Sequence, residues 1–307
     1  MRRSWPRLIA AALVLAAASA GCGGGPDGDG ADLFDAERAM RDVAAQVQIG
    51  PRPAGSDASR EEVRFIARRL RDAGLEEVRV QAPDANVLGT IPGEEEGAVV
   101  IGAHHDTKDE IPGFVGANDG ASGVAVVLEL ARSLPRPNPG PAIHLALFDA
   151  EEARGDRPFQ RDGARGSRQY VAYAGNGGRQ GSPPLERVRA MVLFDLVGDC
   201  DLQIPREAGS DPGLYALFAE AAEEASGQRS PFAGETAPIS DDHVPFREAG
   251  VPALDVIDFT FGPGASPGAY WHTIEDTLER VCPESLDAVG EAAVRAIPRI
   301  RRTEPRA

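Results

Sequence analysis

The chain has 307 residues, 42% hydrophobic and 26% charged, which supplies enough apolar material for a packed core and excludes a wholly disordered chain. Its 35 glycines and 25 prolines are about a fifth of the residues, under the roughly 25–30% at which low complexity sets in, so long irregular loops are expected within a folded protein. A net charge of −16 argues against nucleic acid as a partner, because phosphate binding needs clustered Lys and Arg, and it favours substrates with a cationic amino terminus.

Residues 1–21 have the shape of a secretory signal peptide, with Arg2, Arg3 and Arg7 ahead of an apolar run at 8–18 and small residues after it. The run is shorter than the roughly 20 residues of a spanning helix, and no other segment comes close. Cys22 follows Ala20-Gly21 and resembles the lipidated cysteine of a bacterial lipobox, although Ser19 stands where such a box has a leucine-like residue. The expectation is an exported protein held to the membrane by lipid at Cys22 only, periplasmic or on the cell surface, with plain secretion as the alternative. Residues 22–32 are rich in Gly and Asp and read as a flexible tether. A single folded domain is expected over 33–302.

Within that domain, residues 56–75 read as an amphipathic helix, with Ser56 or Asp57 as cap, Val63, Phe65, Ile66 and Leu70 on one face and Gly74 as the stop. Strand-length apolar runs follow at 86–91, 98–102, 143–148, 191–196 and 253–257, and helices are expected at 121–134 and 284–297. Glu94, Glu95 and Glu96, between glycines, read as a solvated turn. Strands alternating with helices imply an α/β fold with helices on both faces of a largely parallel sheet. Cys200 and Cys282 either pair or sit as separate buried thiols.

Polar residues fall at the ends of these runs. His104 and Asp106 follow one strand, Asp149, Glu151 and Glu152 another, and Asp195 and Asp199 a third. Ligands of open α/β sheets bind beyond the carboxyl ends of the strands, where these residues converge. His105 alternates to the opposite face from His104, and His144 lies inside a strand pattern and reads as a core residue. Histidine with carboxylates is the chemistry of catalytic zinc, and the adjacent Glu151-Glu152 pair allows one to bind metal while the other acts as base. Asp106 is suited to orient His104 from behind.

The ordered series GAHHDTK, GANDGASGVAVVLELA, FDAEEA, LFDLVG, SDDHVPF and WHT resembles metallopeptidase family 28, the group of zinc aminopeptidases and animal-type glutaminyl cyclases. The resemblance runs from about residue 50 to the last helix, and implies a three-layer α/β/α domain with a mixed, largely parallel central sheet. It implies Asp119, Glu152 and His272 as zinc ligands, Glu151 as general acid/base, and His104 with Asp195 as a possible second metal site sharing Asp119. Peptide or protein N-termini are the implied substrates. An aminopeptidase would use two zinc ions to hydrolyse the first peptide bond. A glutaminyl-peptide cyclotransferase would use one, turning N-terminal glutamine into pyroglutamate with loss of ammonia. Trp271 beside His272 resembles the cyclase tryptophan that packs on the glutamine side chain, the doubled acid implies Asp241 in a hydrogen-bond network with Glu151 and Asp195, and the segment 162–172 is also similar to cyclases. Two positions depart from the cyclase pattern: Asp255 replaces a histidine and Ala103 a cysteine. The cyclase is the leading expectation, the aminopeptidase the alternative, and an inactive surface binding protein of the same fold a third reading.

Overall fold

The computed structural model describes Met1 and residues 32–226 and 230–300, so the signal-like segment, Cys22 and nearly all of the tether lie outside the described residues. In chain order the elements are α1 (Ala36–Ile49), α2 (Asp57–Asp72), β1 (Arg79–Gln81), β2 (Asn86–Ile91), β3 (Gly93–His104), α3 (Ala121–Ser133), β4 (Asn138–Phe148), α4 (Phe159–Asp162) and α5 (Arg165–Gly175). There follow β5 (Val188–Asp195), β6 (Ile204–Glu207), α6 (Pro212–Ser226), β7 (Phe232–Thr236), α7 (His243–Glu248), β8 (Ala253–Ile257) and α8 (Pro283–Ala296).

The main sheet has the order β1-β2-β4-β3-β5-β8. The four strands β4, β3, β5 and β8 run parallel, while β2 is antiparallel to both of its neighbours, which makes the sheet mixed. Alternation along each strand feeds two separate cores. Val99, Ile101, Leu145, Leu147, Val192, Phe194, Leu254 and Val256 face one side, where they pack with α1, α2, α3, α6 and α8. Val100, Ala146, Phe148, Met191 and Leu193 face the other, with Tyr170 of α5 and Phe246 of α7. Burial on both faces explains why these strands read as continuous apolar runs. The fold is the three-layer α/β/α architecture.

All five expected strands and three expected helices form. Ser56, not Asp57, caps α2, its side chain accepting the Ser59 N–H at 3.0 Å. Glu94, Glu95 and Glu96 are not a turn; they extend β3 as an exposed stretch with shifted register against β4. The pairing of β3 with β4 continues through Glu95↔Pro141, so the backbone is drawn into the sheet while the carboxylates stay in water. A two-stranded parallel sheet, β6 with β7, stands apart from the main one. Cys200 and Cys282 form a disulfide with Cα atoms 5.0 Å apart, joining the loop after β5 to the start of α8.

Candidate metal centre

The parallel strands deliver the polar residues to one edge. β3 ends at His104, β4 at Phe148 and β5 at Asp195, and His104 lies opposite Phe148 in register. Past β4 the chain turns through Ala150, φ 58°, into Glu151 and Glu152; past β5 it turns through Leu196, φ 50°; His272 itself has φ 53°. Left-handed backbone at a non-glycine residue costs on the order of 1–3 kcal/mol and persists only where the surroundings enforce it. Here they do: the carbonyls of Ala150 and Glu151 accept Arg165 N at 3.0 Å and Ala164 N at 2.7 Å.

The loop before α3 is held as firmly. Asp276 accepts the N–H groups of Asn118 at 2.7 Å and Asp119 at 3.0 Å, and Asn118 in turn accepts Gly198 N at 2.7 Å. Gly120 has φ 94°, and a Cβ on Gly123 would meet the Phe194 carbonyl oxygen at 2.1 Å. Only glycine at that position lets α3 lie against β5 beside Asp195.

Two groups of donor atoms result, with Asp119 common to both. His104, Asp119 and Asp195 form one, with His104 Nε2 3.2 Å from a carboxylate oxygen of each acid. Asp119, Glu152 and His272 form the other, with His272 Nε2 2.9 Å from Glu152 and 3.5 Å from Asp119. Donors bound tetrahedrally at zinc-like bond lengths lie about 3.4 Å apart, so these spacings suit a metal. Asp119 Oδ2 is buried without a hydrogen-bond donor, as expected of an oxygen reserved for a cation. The mixed nitrogen and oxygen set fits Zn²⁺ and its first-row neighbours.

The electrostatics agree. Burial drives the Glu151 carboxyl well above the usual range against the pull of His104, and the charges of Glu152, Asp241 and Asp242 add to the rise. Burial and then the Asp195 and Asp242 charges do the same to Asp241. Burial and the Asp119 charge raise Glu152. Asp119 falls instead, because His104 and His272 outweigh the effect of burial. Crowded, buried carboxylates of this kind are stabilised by a bound cation.

Glu151, Asp241 and Trp271 line the same 70 Å³ cavity as all five donors. That cavity adjoins a groove of 560 Å³ walled by Phe159, Ile239, Phe259 and Trp271, with Lys108 and Arg157 among its charged lining. The Trp271 indole stacks on His272, ring centroids 3.8 Å apart, and meets Phe259 edge-on at 5.2 Å. A larger hollow of 1020 Å³ around Leu88, Arg136 and His144 is distant from these groups and contains none of the donor clusters found among the described residues.

Other expected residues have structural posts. Asp106 does accept from His104 Nδ1, but through its backbone carbonyl at 3.2 Å; its carboxylate takes the N–H groups of Glu151 at 3.0 Å and Glu152 at 3.2 Å. His105 points away to the Ala85 carbonyl, 3.4 Å from its Nε2. His144 sits against Thr90, and burial lowers it to about 4. Asp149 takes the Ala85 and Ala150 N–H groups, and Asp199 those of Asp201 and Gly262. Sequence reasoning missed Asp276 and Arg52, whose roles depend on distant backbone. Arg52, fully buried, donates to the carbonyls of His105, Gln46, Gly50, Val115 and Gly116 and so ties the His104 loop to the Asp119 loop.

The chain is 28% identical over 238 residues to a glutaminyl-peptide cyclotransferase of Boiga irregularis, a match covering 67% of this chain and 63%, less than two thirds, of that protein. Among solved structures it resembles the glutaminyl cyclase of an Acidobacteriales bacterium, with TM-score 0.74 and 29% identity over 93% of this chain and 99% of the other. It also resembles a leucine aminopeptidase precursor of Bacteroides thetaiotaomicron, with TM-score 0.70 and 26% identity over 86% and 97% of the two chains. The model of peptidase family M28 matches residues 86–297, which span every donor of both groups, and the chain belongs to that family.

Proposed function

We propose that the protein is a zinc-dependent glutaminyl-peptide cyclotransferase in which Asp119, Glu152 and His272 hold the metal. The observation that carries this reading is the pair Glu151 and Asp241, two buried carboxyls that belong to neither half of the Asp119-centred donor set yet line the same small cavity. Bound zinc would polarise the side-chain amide carbonyl of an N-terminal glutamine. Glu151, whose carboxyl burial holds well above its ordinary range, accepts a proton from the substrate's α-amine and returns it to the departing amide nitrogen. The α-nitrogen bonds to the side-chain carbonyl carbon as the carbon–nitrogen bond of the amide breaks, leaving pyroglutamate and ammonia with no water consumed. The hydrogen bond expected from Asp241 to Glu151 or Asp195 does not form, because Asp241 Oδ1 accepts only Asp242 N and its Oδ2 has no partner. Asp241 acts on Glu151 through its charge, and Trp271 flanks the glutamine. The names of the Boiga irregularis and Acidobacteriales relatives support this assignment.

The second reading is an aminopeptidase with two zinc ions. It is favoured by the His104, Asp119 and Asp195 group, complete at 3.2 Å spacing, and by the aminopeptidase among the similar structures. In that case Glu151 takes the proton of an attacking water. A binding protein without turnover is disfavoured by Glu151 itself, which has no structural hydrogen bond to justify its burial cost.

Mass spectrometry of the zinc-loaded protein with a Gln-initiated and a Leu-initiated peptide together tests the proposal. Loss of ammonia from the Gln peptide alone supports the cyclase, removal of the first residue supports the aminopeptidase, and no change in either peptide supports the binding protein. We further propose that residues 33–302 form the catalytic domain of an exported lipoprotein anchored at Cys22. The signal-like start supports export, as does the Cys200–Cys282 disulfide, a bond typical of oxidising compartments.

A further inference from the structure

Behind Asp241 lies a chain of buried ionisable groups that the metal centre does not account for. Glu207 closes β6, the strand of the small sheet that precedes the loop to α6, and is fully buried. Its Oε1 accepts Gly209 N at 2.7 Å and Ile239 N at 3.1 Å. Its Oε2 accepts the Ser210 hydroxyl at 3.1 Å and lies 3.5 Å from His243 Nε2. The other imidazole nitrogen of His243 is 3.4 Å from Asp255 Oδ2, and the Ser210 oxygen accepts Asp255 N at 3.0 Å. Ile239, Ser240 and Asp241 are consecutive residues lining the 70 Å³ cavity. Glu207 therefore grips that wall from both ends, by the amide of Ile239 and by the ring of His243.

We propose that Glu207 is a positioning residue for the reaction, setting where Asp241 presents its carboxyl to Glu151. The proposal rests on the catalytic reading above and adds to it a residue with no contact to substrate or metal ligands. Four features of the geometry support it. The Asp241 carboxyl itself is loosely held: its Oδ1 accepts only Asp242 N at 2.5 Å and its Oδ2 has no partner, while the neighbouring Asp242 is tied to the Ser167 hydroxyl at 2.5 Å. The small sheet is docked on the main one beside the cavity, with Asp255 N donating to the Ser210 hydroxyl at 3.0 Å and Asp211 N to the Ala253 carbonyl at 2.7 Å, so Glu207 is held in a fixed relation to β8. The His243 ring lies between the carboxyls of Glu207 on β6 and Asp255 on β8, 3.5 and 3.4 Å from its two nitrogens, so it bridges the two sheets beside Asp241. Finally, burial alone would raise Glu207, yet His243 and the N–H groups of Gly209 and Ile239 hold it at about 2, the mark of a carboxylate that stays charged. The same arrangement gives Asp255 a physical role: where a histidine stands in the cyclase pattern, the carboxylate here faces a histidine already supplied by α7.

The test compares E207A and E207Q with the wild-type holoenzyme on the Gln-initiated and Leu-initiated peptides. E207A is expected to lower kcat about 10- to 100-fold, the scale of a misplaced catalytic group. KM should stay within about threefold, zinc content should be unchanged, and the Ile239 amide should exchange with solvent faster. E207Q keeps an amide oxygen for the Ile239 and Gly209 N–H groups and is expected to fall between E207A and wild type. A loss carried entirely by KM or by zinc content overturns the proposal, as does an unchanged kcat in E207A. Should E207A fail to fold, E207Q decides: a kcat loss of about threefold or more with faster Ile239 exchange supports the assignment, and wild-type kcat overturns it. Wild-type protein inert toward both peptides overturns the catalytic reading first and the proposal with it, an outcome distinct from active wild type with unaffected variants.

Discussion

The Trp271 indole covers the imidazole of His272, with planes 17° apart and centroids 3.8 Å apart, so a neighbour in sequence fixes the ring of a residue proposed to hold the metal. His272 holds left-handed backbone at φ 53°, and stacking helps to retain it there. Trp271→Ala should therefore loosen metal as well as substrate. An aromatic pair contributes about 0.5–1.5 kcal/mol, so zinc affinity should fall about 3- to 10-fold alongside a higher KM for Gln peptides. Chelator competition and steady-state kinetics read the two effects separately. Unchanged zinc affinity with raised KM would leave the indole with a substrate role alone.

Glu151→Gln should keep zinc and lose at least about 100-fold in turnover, because the amide cannot carry a proton. Its backbone is held independently of its side chain, by the Asp106 carboxylate at 3.0 Å, so the variant should preserve the fold and the position of Glu152. Metal analysis and turnover on the same sample check this. Activity within a few-fold of wild type would remove Glu151 from the proposed chemistry.

How much of this was legible beforehand depended on what each residue faces. Strands β2, β3, β4, β5 and β8 are buried on both sides and announce themselves as apolar runs. Helix α1 was hidden, because its buried face includes Asp42 and Gln46. Asp42 is tolerated there only through Arg69 at 2.8 Å and Arg132 at 2.7 Å, both far off in sequence. Every expected donor reaches the cavity, since each follows a strand end or lies in a motif. The residues that hold the donor loops, Asp276 and Arg52, grip backbone amides or carbonyls, as Glu207 does behind Asp241, and a backbone partner leaves no trace in side-chain spacing.

The Cys200–Cys282 disulfide closes a loop over a sequence separation of 82 residues. In the chain-entropy model such a loop contributes about 4.5 kcal/mol, or roughly 10 °C in Tm for a domain of this size. The C200S/C282S variant should melt earlier by up to that amount and should still bind zinc, because the β5 end is also fixed by Cys282 N to the Gly198 carbonyl at 2.9 Å and by Ser285 to the Asp199 carbonyl at 2.5 Å. Differential scanning calorimetry and zinc titration give the comparison. An unaltered Tm would mean that these hydrogen bonds alone secure the loop.

Glu62 makes folding stability depend on pH in a direction opposite to an ordinary paired carboxylate. Both its oxygens are buried without a hydrogen-bond partner, and the Arg52 Nε is no nearer than 4.0 Å because that guanidinium is turned to backbone carbonyls. Burial outweighs the Arg52 charge and lifts the Glu62 carboxyl from 4.5 to about 7. Between those values the folded state retains a proton that the unfolded chain releases, so stability falls as pH rises through this window. The favourable contribution is complete below pH 4.5 and lost above about 7, a change of up to about 3 kcal/mol. Glu62→Gln keeps the shape and removes the proton, so its denaturation midpoint should gain on wild type steadily from pH 5 to pH 7. A stability difference that stays constant across that range would show that Arg52 keeps Glu62 ionised, and that the clamp on the His104 and Asp119 loops includes a true ion pair.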